Sequence, residues 1–467
     1  MTLRRLPWAW AAFMIAGAAA IRAIACLRFM VVSILSKGRC GRMVLLAAAA
    51  MLSAGASQVK ITPPPGTPMA GYYYERGATG VHDDLWAKAL VIESVGRRFA
   101  LVACDLIQIS REAADEAKRL IERQSGLKPE EVMISATHAH TGPVIAGSRS
   151  RYALGGKAEE YAAQLPGRIA ESVRLAAATM KPVRMFTATG DEPSLVFNRR
   201  YHMADGTVGW NPGKKNPKIV RPAGPADSSV PVVYVETEGG APLATYVNYA
   251  LHLDTVGGTE ISADYPYTLS SLLGGAKGGG MMTLFTMGCS GNINHIDVSD
   301  AKPQKGHQEA ARIGTVLAGE VIKTWARMRQ IVPGPVRARI ETAPLPLAAH
   351  RPEDVEWAKA VAAKFGKQNA APFLEMVKAL RVLDVEAQAG KPLEAQVQVI
   401  ALGQEIAWVG LPGEIFVELG MAIKKASPFP QTIPVSLAND NLGYIPDRKA
   451  YGEGNYEVVS ARCAEGG

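Results

Sequence analysis

RRFALVACDLIQISREAADEAKRLIERQSGLKPEEVMISATHAH, residues 97–140, changes periodicity twice. Its first part, through Ser110, is an apolar run of the kind that forms a buried strand. REAADEAKRLIERQSG has helical periodicity and stops at Gly126, a residue suited to the left-handed turn that ends helices. EVMISATH is apolar again and predicts a second strand. Strand, helix and strand make a βαβ unit with His138 at the carboxyl end of its second strand, where open α/β sheets place their ligands. His140 follows two residues on, and in extended chain the two imidazoles share one face. The pair suits a metal site or an acid–base pair, and it equally suits two structural histidines.

The same alternation continues outward. PVVYVETEGGAPLATYVNYALH (231–252) predicts a hairpin around Gly239-Gly240 whose second strand runs into His252. GGGMMTLFTMG (278–288) is a strand that delivers CSGNINHID. LEAQVQVIALGQEIAWVGLPGE (393–414) predicts a hairpin around Gly403 that delivers Glu414 as a helix begins. QTIPVSLAND (431–440) is a strand leading to Tyr444. Helices are expected at 158–180, 307–330, 352–365 and 414–425, and residues 211–231 as a long Pro/Gly-rich loop. The pattern predicts an α/β fold: a mixed β-sheet core with flanking helices and long loops, in a single catalytic domain over residues 57–467.

Charge separates this body from what precedes it. The chain of 467 residues carries a net charge of +8, but residues 1–56 hold seven Lys/Arg and no acid, leaving 44 basic against 43 acidic residues. The body therefore offers no basic footprint for nucleic acid. Arg42, the run MVLLAAAAML and an Ala54-x-Ala56 site predict a signal peptide over 43–56, with residues 1–42 an over-extended start. The expected location is outside the cytoplasm. Membrane anchoring through residues 8–35 is the weaker reading, because Arg22 and Arg28 interrupt that span. Cys104, Cys289 and Cys463 are too few and too far apart for a disulfide framework or a thiolate metal site, so any zinc must be held by nitrogen and oxygen.

His138, His252, Glu414 and Tyr444 each follow a predicted strand. If those strand ends face one cleft, two nitrogens and two oxygens match the ligand chemistry of zinc. In Arg199 of FNRR the chain has a candidate contact for polar substrate groups, with a surface ion pair as the alternative. His295 and Asp297 fit a loop-stabilising pair, Cys289 a small buried residue, and Tyr72-Tyr73-Tyr74 with Trp210 either a lipid channel or a cover for the core.

Seven stretches in series resemble the neutral/alkaline non-lysosomal ceramidase family, over nearly all of 57–467. They are VKITPPPGTPMAGYYYERGATGVHDDLWAKALVI, SATHAHTGP, FNRRYHMADGTVGWNPG, NYALHLDTVGGTEISADYP, GNINH, LPGEIFVELG and LANDNLGYIPDRKAYGEGNYEV. The resemblance implies a zinc-dependent amidase cleaving ceramide into sphingosine and a fatty acid, with one Zn2+ per chain on His138, His252, Glu414 and Tyr444. It implies a catalytic or substrate-contacting role for His140 beside the metal. It implies a lipid substrate, with peripheral contact to membrane lipid and no nucleic acid.

Two departures bear on that reading. The family's Gly-Asp-Val-Ser-Pro-Asn motif falls on GNINH, which puts Asn292, a candidate substrate contact, at the Asp position and Asn294 at the catalytic serine. An amide is no alkoxide nucleophile, though it can donate to an oxyanion, and Ser290 offers a poorer, shifted alternative. The chain also stops soon after the tyrosine motif, so the family's C-terminal immunoglobulin-like domain is not expected. Ceramide is the first substrate implied. Another N-acyl amide or ester, or a non-catalytic cell-surface binding role on the same fold, are the alternatives.

Overall fold

The computed structural model describes residues 51–145, 156–366, 369 and 371–466, together with Arg22, Ala25 and Cys26. Apart from those three, the 8–35 segment and the part of the expected signal peptide ahead of Met51 lie outside the described residues. Among the described residues no helix is long and apolar enough to cross a membrane.

The architecture is mixed α/β, as the periodicities imply. Strands β1 (Leu52–Lys60), β2 (Trp86–Ser94) and β3 (Arg97–Cys104) lead into helix α1 (Arg111–Ser125) and strand β4 (Val132–Ala136). The Ser110 hydroxyl accepts the Ala113 N–H at the start of α1, and Gly126 ends the helix at φ 70°. Its Ala114, Ala117 and Ile121 face the sheet side and are buried, so the spacing in the sequence becomes a packed face. Helix α2 (Lys157–Ala178) returns to β5 (Lys181–Asp191), and β6 (Ser229–Thr237) with β7 (Pro242–Tyr249) forms the hairpin at Gly239-Gly240. Helix α3 (Tyr265–Ala276) and strand β8 (Met282–Met287) complete the layer.

The strands lie in the order β8-β7-β6-β5-β1-β2-β3-β4. Pairing is antiparallel except at the two ends, where β3/β4 and β7/β8 are parallel and joined through helices. One histidine strand thus sits at one end of the sheet (β4), and the other sits next to the opposite end (β7).

A second, four-stranded sheet closes the molecule. After helix α4 (His307–Trp325) come β9 (Val336–Leu345), helices α5 (Pro352–Ala362) and α6 (Phe373–Glu386), β10 (Leu393–Leu402), β11 (Ile406–Gly410), helix α7 (Val417–Ala426) and β12 (Gln431–Val435). The order is β9-β10-β11-β12. Trp408, Ile433 and Val435 of this sheet pack with Phe99, Leu101, Met133, Tyr246 and Leu284 of the first. Burying each such side chain stabilises the fold by about 1.5–3 kcal/mol.

The chain leaving β12 then joins the two ends of the large sheet. Ser436 N–H donates to Met287 O of β8 at 3.0 Å, and Asn439 N–H donates to Ile134 O of β4 at 2.7 Å. The Asn439 side-chain Oδ1 accepts the Ile134 N–H in return at 3.1 Å. Leu437 and Asn439 reach this geometry at φ 51° and 62°, the left-handed region that a branched or bulky side chain disfavours.

Three expectations shift. Strand β1 begins at Leu52, five residues ahead of the body's expected start, and Leu52 and Ala54 are buried in the sheet. Glu414 does not open a helix: Glu414–Ile415 pairs in parallel with Tyr444–Ile445, and α7 starts at Val417. Within the 211–231 loop, Ile219–Pro222 is a strand paired with Arg200–Met203. Helices α3 and α6 were not anticipated. Gly274 and Gly275 weaken the helical pattern of α3, so its tertiary packing on α4 carries it.

Candidate metal centre

His138 follows β4 with φ 78°, a strained conformation for a non-glycine residue. Its N–H donates to Leu106 O at 2.8 Å, and its Nδ1 lies 2.7 Å from Ile107 O. His252 follows β7 with Nδ1 at 3.3 Å from Ser290 O, and His140 has Nδ1 at 3.1 Å from Gly71 O. A carbonyl only accepts, so each ring carries its proton on Nδ1 and keeps a bare lone pair on Nε2. Those lone pairs face one another: His138 Nε2 is 3.0 Å from His252 Nε2 and 3.3 Å from His140 Nε2. Glu414 Oε2 stands 3.4 Å from His138 Nε2 and 3.7 Å from His252 Nε2, and it is buried without a hydrogen-bond partner.

Four acceptors turned toward one point repel unless a cation lies between them. The set fits a divalent ion with nitrogen and oxygen ligands, and the backbone carbonyls on the far ring nitrogens are the outer contacts that orient metal-binding imidazoles. His140 Nε2 is only 0.3 Å farther from His138 Nε2 than His252 Nε2 is, so distance alone does not set it apart from the ligands. Tyr444 lines the same cavity beside Glu414, its register partner.

The electrostatics agree with that donor set. Burial, then the neighbouring rings, holds His252 well below the usual imidazole range. Burial also lowers His140 to about 4, against the opposing pull of Asp254. Burial alone would raise Glu414, but His138 and Tyr444 hold it at about 2, so it is a carboxylate. The Tyr444 hydroxyl is pushed well above its ordinary range by burial and by Glu414.

The other sequence candidates sit around this cluster in different roles. Arg199 is buried behind it: Nε donates to Glu457 at 2.8 Å, and Nη2 donates to Gly291 O at 2.6 Å and to the Tyr444 hydroxyl at 3.1 Å. Asn292 accepts the Val417 N–H at 2.9 Å and donates to Glu418 at 2.8 Å. Asn294 donates to Asn211 at 2.9 Å and accepts the Ile296 N–H at 3.1 Å. None of these three lines the cavity that His138, His140, Glu414 and Tyr444 open into. Ser290 is fully buried, and burial pushes the Cys289 thiol up to about 12, which leaves it a protonated, inert side chain. His295 holds Gln304 O at 2.6 Å, the loop-stabilising role expected of it.

Tyr72 and Tyr73, candidates for a lipid channel, line the cavity, whereas Asp254 and most of the cavity's polar residues were not singled out from the sequence. The Tyr72 hydroxyl donates to Asp254 at 2.8 Å, and Asp254 lies 3.8 Å from His140 Nδ1. Gln108, Asn441, Ser460 and Arg462 add polar groups to the cavity lining, and Tyr73, Val144 and Ile145 apolar ones. Gly71 could have been found by its glycine alone. At φ 106°, with a Cβ position 2.6 Å from His140 O, it admits no other residue without displacement.

Comparison with known proteins agrees with the fold and the motifs. Residues 53–202 match the family model for the N-terminal part of neutral/alkaline non-lysosomal ceramidase. Neutral ceramidase of Pseudomonas aeruginosa is 34% identical over 142 residues, 28% of this chain and 21% of that protein. The aligned stretch thus spans about a fifth of that relative's length. The crystal structure of neutral ceramidase from Pseudomonas aeruginosa superposes with a TM-score of 0.69 at 21% identity, over 89% of this chain and 72% of that one. A ceramidase complexed with C2 gives 0.68 at 20% identity, over 89% and 73%. Over residues 53–202 the chain is thus similar to the N-terminal part of the neutral/alkaline non-lysosomal ceramidase family, and its fold is that of the solved neutral ceramidase.

Proposed function

We propose that the chain is a zinc-dependent amidase that hydrolyses ceramide to sphingosine and a fatty acid. The observation that carries this reading is the convergence of three bare Nε2 atoms and the orphaned Glu414 Oε2 on one point of a cavity wall. His138, His252, Glu414 and Tyr444 would hold the ion. When bound there, zinc supplies Lewis-acid polarisation of the scissile carbonyl and a lowered pKa for water.

The rest is the work of side chains. His140 keeps its proton on Nδ1, against Gly71 O, so Nε2 accepts the proton of the attacking water and passes it to the leaving nitrogen. Asp254 steadies the imidazolium formed in that step, and Tyr72 holds Asp254 in place. Arg199 fixes the Tyr444 hydroxyl from behind. Tyr73, Val144 and Ile145 give the cavity an apolar lining for hydrocarbon, and Gln108, Asn441 and Ser460 polar groups for hydroxyls. Phe373 and Leu374 are exposed at the start of α6, and Phe373 packs edge-on against Tyr73, so apolar surface continues from the cavity outward. That continuity suits a substrate drawn from lipid.

A second reading, another N-acyl amide or ester, is favoured by Asn294 at the family's serine position and by the internal bonds that occupy its amide. Turnover of N-acylsphingosine beside a short N-acyl amide, before and after chelation and zinc readdition, tests both. Chelator-sensitive release of sphingosine supports the first. Zinc-restored turnover of the short amide alone shifts the assignment to the second, and hydrolysis that survives chelation overturns zinc dependence.

A further inference from the structure

A second group of ligand-type side chains lies away from this cavity. His82 and Asp83 stand in the turn between the strand Gly80–Val81 and β2, His307 opens α4, and Glu260 lies in the strand that pairs with Gly80–Val81. One ligand atom from each of His82, Asp83 and His307 lies within 4.8 Å of the other two. The imidazole rings of His82 and His307 stack at 3.7 Å with 10° between their planes.

Asp83 is a built part of this group rather than a loose surface acid. Its side chain is buried, one oxygen accepts the Ala263 N–H at 2.7 Å, and the other accepts the Ser262 hydroxyl at 2.7 Å. That second oxygen also lies 2.8 Å from His82 Nδ1. Asp83 therefore accepts a hydrogen bond from His82 Nδ1–H and leaves Nε2 its lone pair, the carboxylate–histidine arrangement that accompanies metal ligation. His307 Nε2 is 3.7 Å from Glu260 Oε2. That is too long for a hydrogen bond, yet near the separation of about 3.4 Å between two ligands that each sit about 2.1 Å from one tetrahedral ion. The stacked rings hold their edges side by side, and because both are partly exposed a rotation of each can bring its free nitrogen to one ion.

We infer that His82, His307 and Glu260, with Asp83 orienting His82, form a second metal site for a first-row divalent transition ion. Two imidazole nitrogens select zinc, nickel or copper over magnesium or calcium, which prefer all-oxygen sites. This inference is independent of what the His138 cluster holds.

The full chain is dialysed to equilibrium against Ni2+ and, separately, Zn2+, and bound metal is counted for the wild type and for His82→Gln/His307→Gln. The wild type is expected to take up one more equivalent per chain than the double variant, whatever number the His138 cluster takes. Equal uptake overturns the site. Asp83→Asn is expected to weaken the extra equivalent about 10–100-fold, and unchanged affinity there overturns its orienting role. If the double variant proves unfolded by circular dichroism, Glu260→Gln at an exposed position decides. Weaker binding of the extra equivalent supports the site, and undiminished binding overturns it.

Discussion

Glu414 and Tyr444 stand opposite each other in a two-residue parallel strand pair, so carboxylate and phenol enter one cavity side by side. The Glu414 N–H donates to Gly443 O at 2.9 Å, which ties the two loops at that level. Glu414→Gln removes the charge that faces the histidines without changing shape. Bound zinc and amide turnover are expected to fall together, with little change in melting temperature, because catalytic metal sites contribute less to folding than structural ones. Tyr444→Phe is expected to cost less, about 10–100-fold in metal affinity. Metal analysis of the purified variants checks both, and full zinc content in Glu414→Gln would show that the ion is held elsewhere.

Arg199 and Glu457 form a buried ion pair at 2.8 Å, with Arg200 sharing the same carboxylate at 2.9 Å. Removing Arg199 leaves the buried Glu457 carboxylate with Arg200 as its remaining partner. Arg199→Met is therefore expected to destabilise the fold by less than the about 3–5 kcal/mol of a buried charge left fully unpaired. Urea denaturation measures it, and a loss of activity at unchanged stability would instead make Arg199 a direct substrate contact.

Asn294 stands where the ceramidase motif that GNINH resembles carries a serine. Since its amide spans Asn211 and Ile296, Asn294→Ala is expected to lower stability by about 1–3 kcal/mol through the groups it leaves unpaired. An amide that instead faced the oxyanion would give a rate loss of about 10²-fold at unchanged stability. Parallel melting and rate measurements distinguish the two.

Glu418 supplies a pH dependence. Burial, then the charge of Asp447, pushes its carboxyl up from 4.5 to about 7. The folded chain therefore keeps a proton that the unfolded chain releases near pH 4.5. Its contribution to stability is full below that pH and is lost as pH rises through about 7. Glu418→Gln retains an acceptor for Asn292 and carries no charge, so its stability is expected to fall less between pH 5 and 8. Chemical denaturation across that range checks the sign, and identical slopes for variant and wild type would rule out Glu418 as the group.

Strand β1 makes a prediction about processing. Cleavage after Ala56 would remove Leu52 and Ala54 from the sheet, along with the pairing of Leu52–Ala54 to Val183, Pro182 and Lys181. A chain beginning at Ser57 is expected to be less stable than one beginning at Met51 by at least the burial of one leucine, about 1.5–3 kcal/mol. If the chain is exported, the mature N-terminus is expected ahead of Leu52. Intact mass of the processed protein checks this, and a terminus at Ser57 would show that the first half of β1 is dispensable.

What the sequence determined by itself is local. The βαβ unit at 97–136, the hairpins at Gly239-Gly240 and Gly403, and the placement of His138 and His252 after strands all follow from period, turn residues and caps, which act over a few positions. The resemblance to the ceramidase motifs implied His138, His252, Glu414 and Tyr444 as donors. Tertiary structure decided the rest. His138 and His252 follow strands at or next to opposite ends of an eight-strand order, and nothing in either strand says that those ends meet. They meet because residues 436–439, in two left-handed turns, hydrogen-bond to Met287 on one side and Ile134 on the other. The same long-range packing turned Arg199 inward onto Glu457 and closed Asn294 onto Asn211, though both had looked like groups free to meet a substrate. It also drew Leu52–Ala56, which the sequence reads as the end of a leader, into pairing with Leu90–Ser94. Hydrophobicity and propensity are properties of a segment, whereas a site is a property of distances between segments, and those are set only when the sheets close.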